Sequence, residues 1–303
     1  MKRQALLFSI FTAGMLALPA FAADGASEMT GFRWGKNAFN FEPMPSGPRP
    51  LRNLMRRPDG TANAGQLVGD YRNPILTPEA ASVVKQKGEL AIAGVGFRNS
   101  QDQCRPIAPP FTFAMQLGFV MLPEKDGNIA ILYDQNANVR HIRMNAAHPA
   151  KIVPAAMGDS VGHWEGDTLV VDTVGVKVDS YTSVDRFGTP QSEAMHVVER
   201  YRLIDGPVAK AQVDRYEQSE GTVGGGGRNG GGRDAGYDPD TRLKGLQLEV
   251  TMEDPKVFKS PLKARVTYRR LMTEWAESVC ADNPMEHYKD EWIGLPKADH
   301  PDF

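Results

Sequence analysis

The chain has 303 residues, with 35 Lys and Arg against 37 Asp and Glu, and 41% of its residues are hydrophobic. This composition is ordinary for a globular protein long enough to bury a sizeable core. A net charge of −2 without a basic run argues against nucleic acid as a partner, because phosphate binding needs clustered Lys and Arg. Two cysteines and six histidines without metal-motif spacing indicate no metal centre, and we expect no cofactor.

Residues 1–22 have the pattern of a secretory signal peptide. Lys2 and Arg3 precede an apolar stretch at 5–18, and Ala20 and Ala22 are small residues at the positions that a signal peptidase reads. This stretch is short for a bilayer crossing, and no later segment has the roughly 20 apolar residues that a crossing requires. We therefore expect cleavage near Ala22, no membrane span, and a mature protein that is periplasmic or secreted.

Residues 23–69 are rich in Pro, Gly and Arg and lack helical or strand periodicity. The segment is predicted to be an extended arm that is dispensable for folding, because it adds little to an apolar core. Four aromatic residues argue against this prediction, since their side chains could pack onto the domain. They are Phe32, Trp34, Phe39 and Phe41.

Residues 70–303 are predicted to form a single β-rich domain. Thr77 before Pro78 has the form of a helix N-cap, and we expect a helix that ends at Gly88. Beyond Cys104, short β-rich runs alternate with turn residues, and Gly166 predicts a hairpin. The runs are 128–133, 139–144, 168–174, 195–203, 246–252 and 264–271. Such spacing favours an antiparallel curled sheet or lipocalin-like barrel with one or two helices, and the glycine-rich residues 223–233 are expected to be a loop.

Several segments resemble a widespread family of exported bacterial proteins. The matching motifs are Asn73–Glu79, the hairpin Ser160–Thr173, the strand Met195–Tyr201 and Glu253–Pro255. The resemblance implies export and a single domain, and it implies no particular reaction. Relatives often have a charged turn where this chain has Asn145 to Ala147, His where it has Gln191, and Arg where it has His163.

Polar residues within the apolar runs are the candidate catalytic groups. Alternation puts His196 on one face of its run and Glu199 on the other. Asp172 follows three apolar residues, and a carboxylate in such a setting can serve as a general acid or base. The alternatives are that Glu199 pairs with a charge on a neighbouring strand, that His196 is a wall residue, and that Asp172 merely ends a strand.

Arg140 and Trp164 are candidate ligand-binding residues. Arg140 lies in a run with Ile142 and could bind an acidic group of a ligand, or it could belong to a solvated face. Trp164 could stack on a ligand, or it could anchor the hairpin to the core.

Three functions remain open. The first is a binding or carrier protein for a small, largely apolar molecule held in a barrel, since barrels of about eight strands leave room for one. The second is an isomerase, lyase or hydrolase that works without a cofactor through His196, Glu199 and Asp172. The third is a structural envelope protein. Titratable groups inside the barrel would favour the enzyme. An apolar cavity would favour the carrier, and a barrel filled by side chains would favour the structural role. The sequence does not indicate the oligomeric state.

Cys104 and Cys280 are predicted to form a disulfide. They are the only cysteines, they flank the β-rich region, and an exported protein meets an oxidising compartment. Two buried free thiols are the alternative.

Overall fold

The structure is a computed structural model that describes residues 28–273, with gaps at 37, 64, 96–98, 102–103, 116–117, 135–137 and 221–235. The predicted signal peptide, the glycine-rich loop at 223–233 and Cys280 lie outside the described residues. The strands of the described chain are β1 (Arg33–Gly35), β2 (Glu42–Pro43), β3 (Phe119–Pro123), β4 (Ile129–Tyr133), β5 (Val139–Met144), β6 (Asp159–Glu165), β7 (Thr168–Val174), β8 (His196–Ile204), β9 (Gly245–Glu253) and β10 (Leu262–Arg270). Its helices are α1 (Pro78–Ile92), α2 (Phe111–Ala114) and α3 (Gly206–Glu220).

The strands close into a barrel. Strands β3 to β10 pair in sequence order, and β1 pairs with both β3 and β10, so nine strands form the closed sheet and β2 adds to β10 from outside that ring. The prediction of a mainly β curled sheet or barrel is confirmed. The pairing is antiparallel except between β5 and β6, which run parallel because residues 145–158 cross from the end of one strand to the start of the other.

Alternating side chains fill the barrel. In β9, Leu246, Leu248, Val250 and Met252 are buried and belong to the main hydrophobic cluster. The hairpin between β6 and β7 turns at Gly166, whose φ of 62° suits glycine, as the sequence predicts. Small residues at such turns and apolar residues at every second strand position explain why this part of the chain folds as β-structure.

The described part of the segment predicted to be an extended arm is built into the barrel, which argues against its being dispensable for folding. Trp34 in β1 is fully buried, and its indole Nε1 donates a hydrogen bond of 2.8 Å to the carbonyl of Met29. Phe39, Phe41 and Leu51 are buried as well. The aromatic side chains outweigh the lack of periodicity because each buries a large apolar area.

Three helices accompany the sheet in the described chain. Thr77 caps α1 by accepting a hydrogen bond from the Ala80 amide, as predicted, but the helix continues through Gly88 to Ile92. Gly88 lies against Val68, so its missing side chain permits close packing and does not end the helix. The unpredicted α3 packs on β9 and β10. Among the described residues, no helix combines the length and apolarity that crossing a bilayer requires.

Candidate functional site

Two polar clusters occupy opposite faces of the β6 to β8 sheet. The interior cluster centres on Arg140 and Glu199, which are 1% and 0% exposed. Arg140 donates hydrogen bonds from its two terminal nitrogens to the two Glu199 carboxylate oxygens at 2.9 and 2.6 Å. This bidentate geometry is the strongest form of an Arg–carboxylate contact.

Hydroxyl groups complete the interior cluster. Arg140 also donates to Ser160 Oγ at 2.9 Å and to Thr173 Oγ1 at 2.6 Å, and the Tyr201 hydroxyl donates to Glu199 at 2.8 Å. Burial opposes the charge on Arg140, but the Glu199 carboxylate outweighs it and raises the pKa of Arg140. Burial, together with the negative charge of Glu199, raises the pKa of Tyr201 well above its ordinary value. The pair is therefore buried on all sides and held by hydroxyl donors and acceptors.

The exterior cluster, which we call the His–Asp cluster, consists of His148, Asp172 and His196. Nε2 of His148 and Nε2 of His196 each lie 3.0 Å from Asp172 Oδ1, so two imidazoles share one carboxylate. Asp172 and His196 face outward because each has the opposite strand parity from the buried Thr173 and Glu199. His148 comes from the crossover between β5 and β6. The side chains are 24%, 38% and 34% exposed, in the order His148, Asp172 and His196.

Neighbouring charges orient both imidazoles. His148 Nδ1 lies 2.5 Å from Asp159, which in turn accepts hydrogen bonds from Arg143 at 2.8 and 3.0 Å. His196 Nδ1 lies 3.5 Å from Glu253. Both nitrogens of His148 lie within hydrogen-bond distance of a carboxylate, and both contacts are satisfied only when both nitrogens are protonated. Burial by itself would lower the pKa of His148, but the hydrogen bonds with Asp159 and Asp172 prevail and raise it.

The strand register sets Asp172 in a row of half-buried side chains on the outer surface. Val161, Asp172, Val198 and Thr251 are consecutive partners across β6, β7, β8 and β9. Their partial burial gives the His–Asp cluster an apolar surround that remains open to solvent. A small molecule could therefore reach the imidazoles from outside the barrel.

The sequence-predicted site residues divide between the two faces. His196 and Asp172 come together, whereas Glu199 lies inside the barrel with Arg140, and the sheet separates it from the other two. Trp164 is half-buried and packs against the main hydrophobic cluster. His148 was not among the predicted site residues. Its contact with Asp172 joins residues 24 apart in the sequence and leaves no local pattern.

Other features of the described chain bear on binding. Two small pockets lie beside α3, on the outer side of the barrel. Within the described ranges, there is no group of three or more His, Cys, Asp or Glu side chains that could hold a metal ion. No described cysteine is a free thiol, and the pairing of Cys104 with Cys280 stays a prediction because Cys280 lies outside those ranges.

Comparison of the chain with protein-family models, with curated proteins and with solved structures finds no match.

Proposed function

We propose that the protein is an acid–base enzyme that works without a cofactor, an isomerase, lyase or hydrolase, and that its reactive groups are His148, Asp172 and His196. The observation that carries the proposal is the sharing of one half-exposed carboxylate by two imidazoles at 3.0 Å each. Histidine suits proton transfer near neutral pH, and a carboxylate commonly orients a catalytic imidazole.

The two histidines differ in the proton that each can offer. His148 has carboxylates at both nitrogens, and its raised pKa favours the imidazolium form, so it is the proton donor. His196 donates from Nε2 to Asp172, whereas its Nδ1 makes only the longer contact of 3.5 Å with Glu253, so we assign Nδ1 as the proton acceptor. Glu253, 3.5 Å from Nδ1, stabilises the positive charge that appears when Nδ1 takes a proton.

The expected chemistry is proton transfer on a small molecule bound against the outer face. His196 removes a proton from carbon or from an attacking water, and His148 supplies a proton to the oxygen where negative charge develops. A hydrolase of this kind acts through water, because Ser160 points into the barrel and accepts from Arg140. The interior Arg140–Glu199 pair supports the fold of the strands that carry Asp172 and His196.

The experiment is a panel of small esters, lactones and carbonyl compounds with exchangeable C–H groups, followed by NMR in deuterated water. Turnover or deuterium incorporation should fall by about 10² to 10⁴-fold in Asp172→Asn and His196→Asn, the range for loss of a general acid or base. His163→Asn is the matched control, because His163 is an outward histidine that pairs only locally with Glu165 among the described residues. No turnover of any compound, or equal loss in the control, would overturn the proposal.

The carrier and structural functions stay predictions, and the same panel distinguishes them. A carrier would bind a compound without converting it, and a structural protein would do neither. Both outcomes count against the acid–base proposal.

A further inference from the structure

The crossover that carries His148 is tied to the barrel on both sides of this residue. Before it, the Asn145 amide donates a hydrogen bond of 2.6 Å to the carbonyl oxygen of Gly162. After it, the Ala155 amide donates a hydrogen bond of 3.0 Å to the carbonyl oxygen of Gly175. Backbone bonds of this kind fix the path of the crossover, but they leave the side-chain torsions of His148 free. The orientation of the His148 ring therefore depends on contacts made by the ring itself.

Arg143 joins the crossover to one of the two carboxylates that face this ring. Its Nη1 donates a hydrogen bond of 3.2 Å to the carbonyl oxygen of Ala147, the residue before His148. Its Nη2 donates to both carboxylate oxygens of Asp159, at 2.8 and 3.0 Å. A guanidinium is planar and stays charged, so it can hold a carbonyl and a carboxylate in fixed relative positions. Arg143 thus restrains both the backbone beside His148 and the Asp159 side chain.

The two carboxylates at the His148 ring are not equivalent. Asp159 Oδ1 lies 2.5 Å from Nδ1, whereas Asp172 Oδ1 lies 3.0 Å from Nε2. The Asp159 side chain is 23% exposed and is held by Arg143, whereas the Asp172 side chain is 38% exposed and also accepts from His196. Loss of the Nδ1 proton would turn a lone pair toward the nearer and more restrained carboxylate. Loss of the Nε2 proton is therefore the more favourable of the two.

We propose that Asp159 is a positioning residue that keeps a proton on Nδ1 of His148, so that the proton which His148 gives to a substrate is the one on Nε2. This proposal rests on the acid–base function proposed above. When the proton leaves, the electrons of the N–H bond stay on Nε2, the substrate oxygen gains the proton, and the neutral ring keeps its hydrogen bond to Asp159. Nε2 is the nitrogen on the side of Asp172 and His196, so the acid and the base of the reaction face one part of the surface. A carboxylate that fixes the tautomer of a catalytic imidazole acts in the same way in other acid–base sites.

The charged groups around His148 come from five strands. They are Arg143 on β5, Asp159 on β6, Asp172 on β7, His196 on β8 and Glu253 on β9. Burial of His148 opposes its positive charge, but the hydrogen bonds with Asp159 and Asp172 prevail and raise its pKa. Arg143 lies behind Asp159 and acts in the opposite direction, because its charge has the same sign as that of the imidazolium. Removal of the Asp159 carboxylate alone should therefore lower the pKa of His148.

The experiment is ¹⁵N NMR of the histidine rings in the full chain as a function of pH, for the wild type and for Asp159→Ala. In the wild type, Nδ1 of His148 should keep the chemical shift of a protonated nitrogen on the alkaline side of the titration, while Nε2 moves to that of an unprotonated nitrogen. In Asp159→Ala, the neutral ring should instead carry its proton on Nε2, where Asp172 accepts it. The pKa of His148 should fall by about 1 pH unit or more, because an opposite charge within hydrogen-bond distance is lost.

Asp240→Ala is the matched control. Asp240 is likewise held by two hydrogen bonds from one arginine, Arg242, and it contacts no histidine among the described residues. This variant should leave the tautomer and the pKa of His148 unchanged. If Asp159 served only as the ion-pair partner of Arg143, Asp159→Ala would leave them unchanged as well.

A wild-type His148 whose neutral ring carries its proton on Nε2 would overturn the proposal, and this result does not depend on whether Asp159→Ala folds. A tautomer that Asp159→Ala leaves unchanged, or a pKa of His148 that does not fall, would overturn it too. The spectra need no substrate, so their outcome is separate from that of the turnover panel. Absence of turnover counts against the acid–base function, whereas these spectra test the role of Asp159.

Turnover gives a second measurement for any compound that the protein converts. Asp159→Ala should lower the rate by about 10²-fold, because the His148 ring is no longer held in place. The alkaline limb of the pH profile should move to lower pH together with the pKa of His148, since the acid must be protonated to act. A lower rate with an unmoved alkaline limb would contradict the role of Asp159.

Discussion

Removal of one charge from the buried Arg140–Glu199 pair should destabilise the barrel more than removal of both. Glu199→Gln leaves the Arg140 guanidinium at 1% exposure with only Ser160 and Thr173 as strong neutral partners. An uncompensated buried charge of this kind costs about 3–5 kcal/mol of unfolding free energy. At about 2–4 °C per kcal/mol for a domain of this size, the Tm should fall by roughly 6–20 °C.

The double variant Arg140→Met, Glu199→Leu removes both charges and leaves the hydroxyls of Ser160, Thr173 and Tyr201 to be satisfied. Ser160 and Thr173 already lie 3.2 Å apart and can pair with each other. The remaining cost is therefore about 1–3 kcal/mol, at roughly 1 kcal/mol for each lost hydrogen bond. The double variant should be more stable than Glu199→Gln alone.

Equilibrium unfolding in urea measures these free energies. Arg200→Met is the matched control, because Arg200 makes an outward ion pair with Glu165 in which both side chains are more than 40% exposed. Its loss should cost less than about 1 kcal/mol. A loss of less than about 1 kcal/mol of unfolding free energy in Glu199→Gln, or a double variant that is no more stable than Glu199→Gln, would refute the reasoning.

Three further predictions concern other parts of the chain. Trp34→Ala should lower the unfolding free energy measured in urea by about 3–5 kcal/mol, because it empties a fully buried site in the strand that closes the barrel. A decrease below about 1 kcal/mol would instead support an arm that is dispensable for folding. Unreduced, denatured protein should contain no thiol that reacts with an alkylating reagent, since we expect a disulfide between Cys104 and Cys280. In the chain-entropy model such a bond raises the unfolding free energy by on the order of 5 kcal/mol. Two alkylated cysteines would disprove the bond. The stability difference between wild type and His148→Asn should be fully present below pH 6.5, the unfolded pKa, and should disappear as pH rises through the raised pKa of His148. A pH-independent difference would contradict that shift.

The predictable part of the fold is the part with regular alternation. Six of the predicted runs match β4, β5 and β7 to β10 within about two residues, because their apolar side chains fill one barrel interior. Strand β1 was missed because it has three residues in a segment rich in Pro and Gly. The helix α3 was missed because Ala209 and Val213 are its only buried apolar side chains, too narrow a stripe to recognise.

The site was only partly predictable for a related reason. Period-two alternation correctly separates His196 from Glu199, so these two could not meet at one site. It cannot reveal that Asp172 and His196 are neighbours, since that depends on the register between β7 and β8. His148 reaches Asp172 only because the parallel pairing of β5 and β6 sends the crossover over the outer face. Such contacts arise from topology, and local sequence does not encode them.

Imidazole ¹⁵N NMR as a function of pH is the most direct test of the His–Asp cluster. We expect His148 to carry protons on both nitrogens near pH 6.5 and to titrate above that value, and we expect Asp172→Asn to lower the pKa of His148 because it removes one of the two carboxylates that raise it. A His148 that titrates at or below pH 6.5, or a His148 titration that Asp172→Asn leaves unchanged, would contradict the role of Asp172 in the His–Asp cluster.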